Sequence, residues 1–171
     1  ILAVFKKLPL HHNALYEGKW LGLQETLNMR EFRGKTLGLV GFGRIGQEVA
    51  RLAKGFQTTI RYYDTVRAAI AVEQEVGAQL LALDALLEQS DVVSIHTPLT
   101  DETKGIINAR TLGLMKSSAI VVNTSRGPVI DEPALVEALQ NKQIAGAGLD
   151  VFTTEPLGTE SPLLSLDNVV L

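Results

Sequence analysis

Thr36-Leu37-Gly38-Leu39-Val40-Gly41-Phe42-Gly43-Arg44-Ile45-Gly46 begins as a short, mostly apolar run and closes on three glycines spaced G-x-G-x-x-G. The run reads as a strand, and Gln47 to Lys54 behind the last glycine reads as a helix. That context gives each glycine its own task. Gly41 permits a tight turn, Gly43 lets the backbone approach a pyrophosphate, and Gly46 lets helix and strand pack closely. The helix N-terminus adds unpaired N–H groups and partial positive charge for the phosphates. Thr58–Tyr63 reads as a second strand, closed by Asp64, which follows Gly46 by 18 residues. A carboxylate there binds both ribose hydroxyls of an adenosine and repels a 2′-phosphate. The stretch predicts a dinucleotide site with NAD preferred over NADP, while Arg61 and Arg67 keep some NADP use open. An S-adenosylmethionine site would share the glycine loop and the acid but not the polar segments found further on.

Outward from this unit, short β-branched runs alternate with helical stretches. Ala68 to Val76 reads as a helix, Gln79–Leu81 as a short strand and Ala85 to Gln89 as a short helix. Val92–His96 is a strand stopped by Pro98, Ala109 to Met115 a helix capped by Asn108, and Ala119–Thr124 the next strand. Pro133 to Asn141 reads as a helix started by Asp131, and Ala147–Val151 and Asn168–Leu171 complete the set. These strands are near-continuous apolar runs, as expected when helices cover both faces of a sheet. Strand–helix–strand repetition implies right-handed crossovers, so the expected class is α/β, a Rossmann-type doubly wound parallel sheet over residues 34–171. Residues 1–33 read differently, as a helix broken by Pro9 and an irregular arm carrying Trp20 and Leu23. That segment is either a helix packed on the domain or a connector and dimer arm.

The 171 residues are 46% hydrophobic and 20% charged, the composition of an ordinary folded domain. Sixteen Lys and Arg against nineteen Asp and Glu leave a net charge of −3 with no like-charge block, which argues against nucleic acid or an anionic membrane as a partner. There is no cysteine, so disulfides, thiolate zinc sites, iron–sulfur clusters and thiol catalysis are excluded. A cytoplasmic location fits. Runs free of charged residues, such as Ser117–Ser125, reach nine residues, where a membrane helix needs about 18. Ile1 to Phe5 is too short for a signal peptide and lacks a basic lead-in. A start without Met, inside an apolar pattern, suggests an excised or processed piece. His11 and His12 are adjacent and would point apart on a helix, so they read as surface residues and not as a metal pair.

Three polar segments follow later strands, where ligands bind in an open α/β sheet. They are His96-Thr97-Pro98-Leu99-Thr100, Asn123-Thr124-Ser125-Arg126-Gly127, and Gly148-Leu149-Asp150-Val151-Phe152 leading to Glu155-Pro156. Together with Gly41–Gly46 they resemble the D-isomer-specific 2-hydroxyacid dehydrogenases over the whole chain. The resemblance implies that Arg44 and Ile45 lie over the pyrophosphate and that Asp64 holds the adenosine ribose. Thr97 and Pro98 would line the adenine or ribose side with Thr103 close by, and Thr124 and Asp150 would meet the nicotinamide end. Arg126 matches the family's substrate-binding arginine and Glu155 its catalytic glutamate. A forked guanidinium grips a 2-oxo acid's carboxylate and polarises its carbonyl. A carboxylate paired with a histidine favours the imidazolium that donates the proton. The partners implied are a small 2-hydroxy or 2-oxo acid and a second copy of the chain in a homodimer.

The family's catalytic histidine falls in a Pro-His segment just beyond the strand that ends here, and its substrate domain is built from segments on both sides. The expectation is therefore an NAD-binding domain that is close to inactive alone. His96 is expected to be structural or cofactor-adjacent. Gly55-Phe56-Gln57 stands for the more usual Ala-Phe-Gly, and Ala82 stands where a Ser or Thr cap is usual. Two related readings differ in outcome. The C-terminal binding protein corepressors resemble the same family and would make this a dinucleotide-sensing interaction module. Formate dehydrogenases resemble it too but carry a glutamine in the glutamate's role, and Glu155 argues against them.

Overall fold

The computed structural model describes residues 1–23 and 29–171; the part of the expected arm at 24–28 lies outside the described residues. Two short helices come first, α1 (Leu2–Phe5) and α2 (Leu8–Tyr16). Then follow β1 (Thr36–Val40), α3 (Arg44–Lys54), β2 (Thr59–Tyr63), α4 (Ile70–Val76), β3 (Gln79–Leu80) and α5 (Leu83–Gln89). The second half comprises β4 (Val92–Ile95), α6 (Ala109–Leu112), β5 (Ile120–Asn123), α7 (Glu132–Gln140), β6 (Gly146–Leu149) and β7 (Val169–Val170). The strands form one seven-stranded sheet in the order β3-β2-β1-β4-β5-β6-β7, with every pairing parallel. The chain leaves β1 in one direction through β2 and β3, then returns and winds the other way from β4. The order therefore reverses between β1 and β4, the switch point at which such sheets open a crevice.

Two apolar layers cover the sheet, as the unbroken hydrophobic strands require. On one face Leu86, Leu87, Leu112, Leu135 and Leu139 from α5, α6 and α7 pack on Val40, Val93, Ile95 and Val121. On the other, Phe5, Ala50, Ala53 and Val76 from α1, α3 and α4 pack on Leu37, Leu39, Ile60, Tyr62 and Ile120. Each fully buried Leu or Ile contributes about 1.5–3 kcal/mol relative to exposure, so the sheet's two faces dominate the folding energy. Gly38 shows how close the layers come: a Cβ there would sit 2.1 Å from Ser90 Oγ. Tyr62 is buried on the α3/α4 face and stacks on Phe42 with ring centroids 4.1 Å apart. Its hydroxyl donates to Glu73 Oε1 at 2.6 Å and accepts from Ala68 N at 3.0 Å.

Several local expectations change. Pro9 does not break a helix; it sits in the first turn of α2, where its missing N–H is not needed, and the break falls at Lys7 with φ 47°. The helix after the glycine loop begins at Arg44, three residues before the expected Gln47, because Gly43 serves as an N-cap without a side chain and leaves no polar signal in the sequence. Asn108 does cap α6, accepting from Arg110 N and Thr111 N, and Asp131 caps α7 by accepting from Ala134 N at 3.3 Å. Ala82 leaves the N-terminus of α5 without a side-chain cap. Residues 1–33 divide between a packed part and an exposed part. Val4 lies against Gly146 and Gly148 of β6, so α1 is packed on the domain, while Trp20 and Leu23 are 87% and 73% exposed.

The α3 exit is strained. Gly55 keeps helical torsions (φ −60°), and the left-handed position falls two residues later on Gln57, at φ 58°. Gln57 accepts a hydrogen bond from Arg33 Nε at 2.9 Å, on the protein surface. A left-handed torsion costs a non-glycine residue about 1–2 kcal/mol, partly offset here by glycine's larger unfolded-state entropy and the lost surface bond. Gln57→Gly should therefore stabilise the fold by about 0.5 kcal/mol, or about 1–2 °C in melting temperature. An unchanged or lower midpoint in urea would show that Gln57 is not strained.

Candidate functional site

Register brings the expected residues together. Tyr63, Val40, Ile95, Asn123 and Leu149 are direct partners across β2, β1, β4, β5 and β6. The next residue along each strand is then Asp64, Gly41, His96, Thr124 and Asp150. These five stand in one row along the carboxyl edge, about 19 Å from end to end at ~4.8 Å per strand. The row crosses the switch point between Gly41 and His96.

At one end, the glycine loop and the acid are tied to each other. Asp64 Oδ2 accepts from Phe42 N at 2.7 Å, and Oδ1 accepts from Val66 N at 3.1 Å. The carboxylate thus fixes the middle of the loop from the end of the neighbouring strand. Gly41 has φ 94°, and a Cβ there would lie 2.8 Å from the carbonyl carbon of His96. A Cβ on Gly46 would lie 2.4 Å from the carbonyl oxygen of Gly41, so the helix sits directly on the turn. Gly43 differs from both: a Cβ there meets nothing within 4 Å. Its bare backbone faces open space at the N-terminus of α3, next to exposed Arg44 and Ile45. Packing needs the outer two glycines; the middle one caps the helix and leaves open space beside it.

Across the switch point, His96 is half-buried, and its Nε2 lies 2.9 Å from Ser94 Oγ. Burial pushes its pKa below the usual histidine value, which suits a structural ring better than a proton donor. Thr97 Oγ1 is buried with no hydrogen-bond partner among the described residues. An orphaned hydroxyl beside the glycine turn fits a polar ligand group that would complete it. Thr103 is largely used within its own loop, donating to the Pro98 carbonyl at 2.6 Å and accepting from Thr100 N at 2.8 Å, so it braces the segment that carries Pro98. Arg61 and Arg67 diverge. Arg61 bonds the carbonyl of Ile60, and Arg67 is held by Glu73 at 2.8 Å.

At the far end, one buried residue organises the loop after β5. Asn123 Nδ2 donates to the Arg126 carbonyl at 2.9 Å, and its Oδ1 accepts from Ser125 N and Ser125 Oγ, each at 3.0 Å. This turn presents exposed Thr124 and Arg126 outward; Arg126 Nη1 contacts the Ser125 carbonyl. Gly127 then passes so close to the strand exit of β6 that a Cβ would be 1.9 Å from the Phe152 carbonyl oxygen. That approach sets the arginine turn beside the segment bearing Asp150 and Glu155. Glu155 Oε1 accepts from Phe152 N at 2.9 Å, and Glu132 Oε2 accepts from Thr153 N at 3.1 Å, which together fix the turn's shape. Asn123 and Glu132 shape the site without belonging to the residues expected from the sequence. An Asn closing an apolar strand with Ser two residues on is the visible signal for the first; Glu132 reads as one more acid in a helix's first turn.

No cluster of three potential metal ligands occurs among the described residues, and no described helix is long and apolar enough to cross a membrane. A cavity of about 430 Å³ lined by Val4, Lys7, Arg30, Lys142 and Asn168 lies at the opposite, amino edge of the sheet, away from this row.

The family model for the D-isomer specific 2-hydroxyacid dehydrogenase, NAD binding domain, matches residues 1–171. A glyoxylate reductase of Korarchaeum cryptofilum is 52% identical over 100% of this chain and 52% of its own length. This chain thus spans about half of that relative. A D-mandelate dehydrogenase of Rhodotorula graminis superposes with a TM-score of 0.94 at 33% identity, covering 99% of this chain and 51% of that one. A formate dehydrogenase of Granulicella gives a TM-score of 0.94 at 30% identity, covering 98% and 45%. With a family model matched over its full length and a relative 52% identical across it, this chain belongs to the NAD-binding domain family of the D-isomer-specific 2-hydroxyacid dehydrogenases.

Proposed function

We propose that this chain forms the NAD-binding half of an enzyme that interconverts a small D-2-hydroxy acid and its 2-oxo acid, glyoxylate being the first candidate given the 52% identity to a glyoxylate reductase. The observation that carries the reading is the in-register row from Asp64 to Asp150, with Arg126 and Glu155 beside its far end. Bound NAD supplies or accepts the hydride at its nicotinamide ring. The chain's own residues do the rest. Asp64 takes the ribose hydroxyls, the α3 N-terminus and Gly43 take the pyrophosphate, and Thr124 and Asp150 orient the nicotinamide end. Arg126 holds the substrate carboxylate and draws charge toward the carbonyl oxygen. Glu155 supports an imidazolium supplied from outside these 171 residues, since His96 is bonded to Ser94 and biased toward its neutral form. The isolated chain binds the dinucleotide without turning over substrate.

A second copy is the further partner. Leu15, Tyr16, Trp20 and Leu23 are 58%, 83%, 87% and 73% exposed, an apolar group that self-association would cover. Sedimentation equilibrium should give about twice the chain mass for the parent and a monomer for Trp20→Ala/Leu23→Ser. A monomeric parent at high concentration rejects the dimer.

Two substitutions test the site. Gly43→Ala meets no neighbour but is a poorer N-cap, so it should cost about 1 kcal/mol of stability, stay folded, and lose NADH affinity about tenfold or more in fluorescence titration. Equal affinity would show that no pyrophosphate lies on Gly43. In the complete enzyme, Arg126→Ala should lower kcat/KM for the 2-oxo acid by about 10²–10³-fold with the NADH Kd unchanged. Near-normal turnover would remove Arg126 from the mechanism.

A further inference from the structure

The turn after β2 carries a second charge close to the ribose side of the site. Arg67 stands three residues beyond Asp64, and an arginine there would suit the 2′-phosphate that distinguishes NADP. In this fold it is occupied elsewhere. Arg67 Nε donates to Glu73 Oε1 at 3.0 Å and Nη2 to Glu73 Oε2 at 2.8 Å, a two-point pairing of guanidinium with carboxylate. The acid is anchored in turn. The Glu73 side chain is only 10% exposed, whereas that of Arg67 is 63% exposed. Its Oε1 also accepts from the Tyr62 hydroxyl at 2.6 Å, and Tyr62 is fully buried under Phe42. The mobile partner is therefore the arginine and the fixed one the glutamate. The pairing neutralises Arg67 and directs its forked donors toward α4.

Resting on the NAD-binding reading above, we propose that Glu73 is a second determinant of cofactor choice. Anchored by Tyr62, it holds Arg67 away from the ribose 2′ position and so withholds a guanidinium that would favour a 2′-phosphate. Asp64 repels that phosphate directly; Glu73 acts through Arg67, as a positioning residue. The two contributions are separable, because Asp64 is tied to the glycine loop and Glu73 to the α4 face.

The test is parallel titration of the intact polypeptide with NADH and NADPH, in the parent, Glu73→Gln, Arg67→Gln and the double variant. Glu73→Gln keeps the side chain's shape and removes the charge that holds Arg67. The Kd ratio should move about tenfold toward NADPH, the scale of one freed charge-assisted bond. Arg67→Gln alone should leave the ratio where it was, and the double variant should cancel the gain. General loosening of the fold would weaken both dinucleotides together and leave the ratio fixed. Should Glu73→Gln fail to fold, the surface variant Arg67→Gln still decides: a ratio that moves strongly toward NADH means Arg67 already serves NADPH in the parent and overturns the proposal. An unchanged ratio in folded Glu73→Gln overturns it as well. A parent that binds neither dinucleotide overturns the NAD reading and this one with it, whereas a parent that binds NADH with no response at Glu73 overturns this one alone.

Discussion

Five parallel strands ending on one row are the constraint on which the site depends. A parallel ladder has a uniform slant and no hairpin to set its register, so the row is fixed only by side-chain packing on both faces. A slip of one residue in β5 would turn Asn123 and its neighbours to the opposite face and carry Thr124 and Arg126 away from Asp150. The two buried layers prevent that. Val121 belongs to the α5–α7 layer, while Ile120 and Val122 belong to the α1/α3/α4 layer, so each β5 residue has one acceptable side. Fold energy and site geometry are the same interactions seen from two ends of the strands.

Crowding finishes what register begins. The Gly41 turn lies against His96, Gly46 against the Gly41 carbonyl, and Gly127 against Phe152, each closer than any side chain allows. Three backbone contacts without side chains pull the glycine loop, the β4 exit, the arginine turn and the β6 exit into one surface. Gly43 is the exception, with open space beside it at the helix N-terminus. Nothing in the protein occupies the space beside it, where it caps α3 with backbone alone.

Much of this was legible in the sequence because it depends on spacing along one or two elements. The glycine pattern between a strand and a helix, the acid closing the next strand, and polar residues directly behind apolar strands are all local features. What stayed illegible depends on contacts between distant segments. Gly43 caps α3 with backbone alone, so the helix start at Arg44 left no polar signal. The left-handed residue after α3 proved to be Gln57 although Gly55 stood two places earlier, because Gly55 continued the helix. Glu132 looked like a helix-start acid, and only the folded chain shows it holding Thr153 N from 21 residues away. Pro9 suggests a helix break by its identity, but its place in the first turn of α2 decides its effect.

The same distinction explains why the arginines near Asp64 were ambiguous on the page. Composition placed two cations beside a predicted ribose site, and charge alone would count both toward a phosphate. Structure gives them different partners: Arg61 bonds a strand carbonyl, and Arg67 meets a glutamate fixed by a buried tyrosine. Arg67 and Tyr62 together hold the Glu73 carboxyl below its usual pKa, Arg67 foremost, so the glutamate is ionised at neutral pH and its hold is present. Whether a cation near a ligand attracts it is decided by what else already satisfies that cation. In this fold the partner group lies on α4, six residues further along the chain from Arg67. Its anchor, Tyr62, sits inside the layer that also fixes the strand register, so the orientation of Arg67 is set from within the core and not at the rim alone.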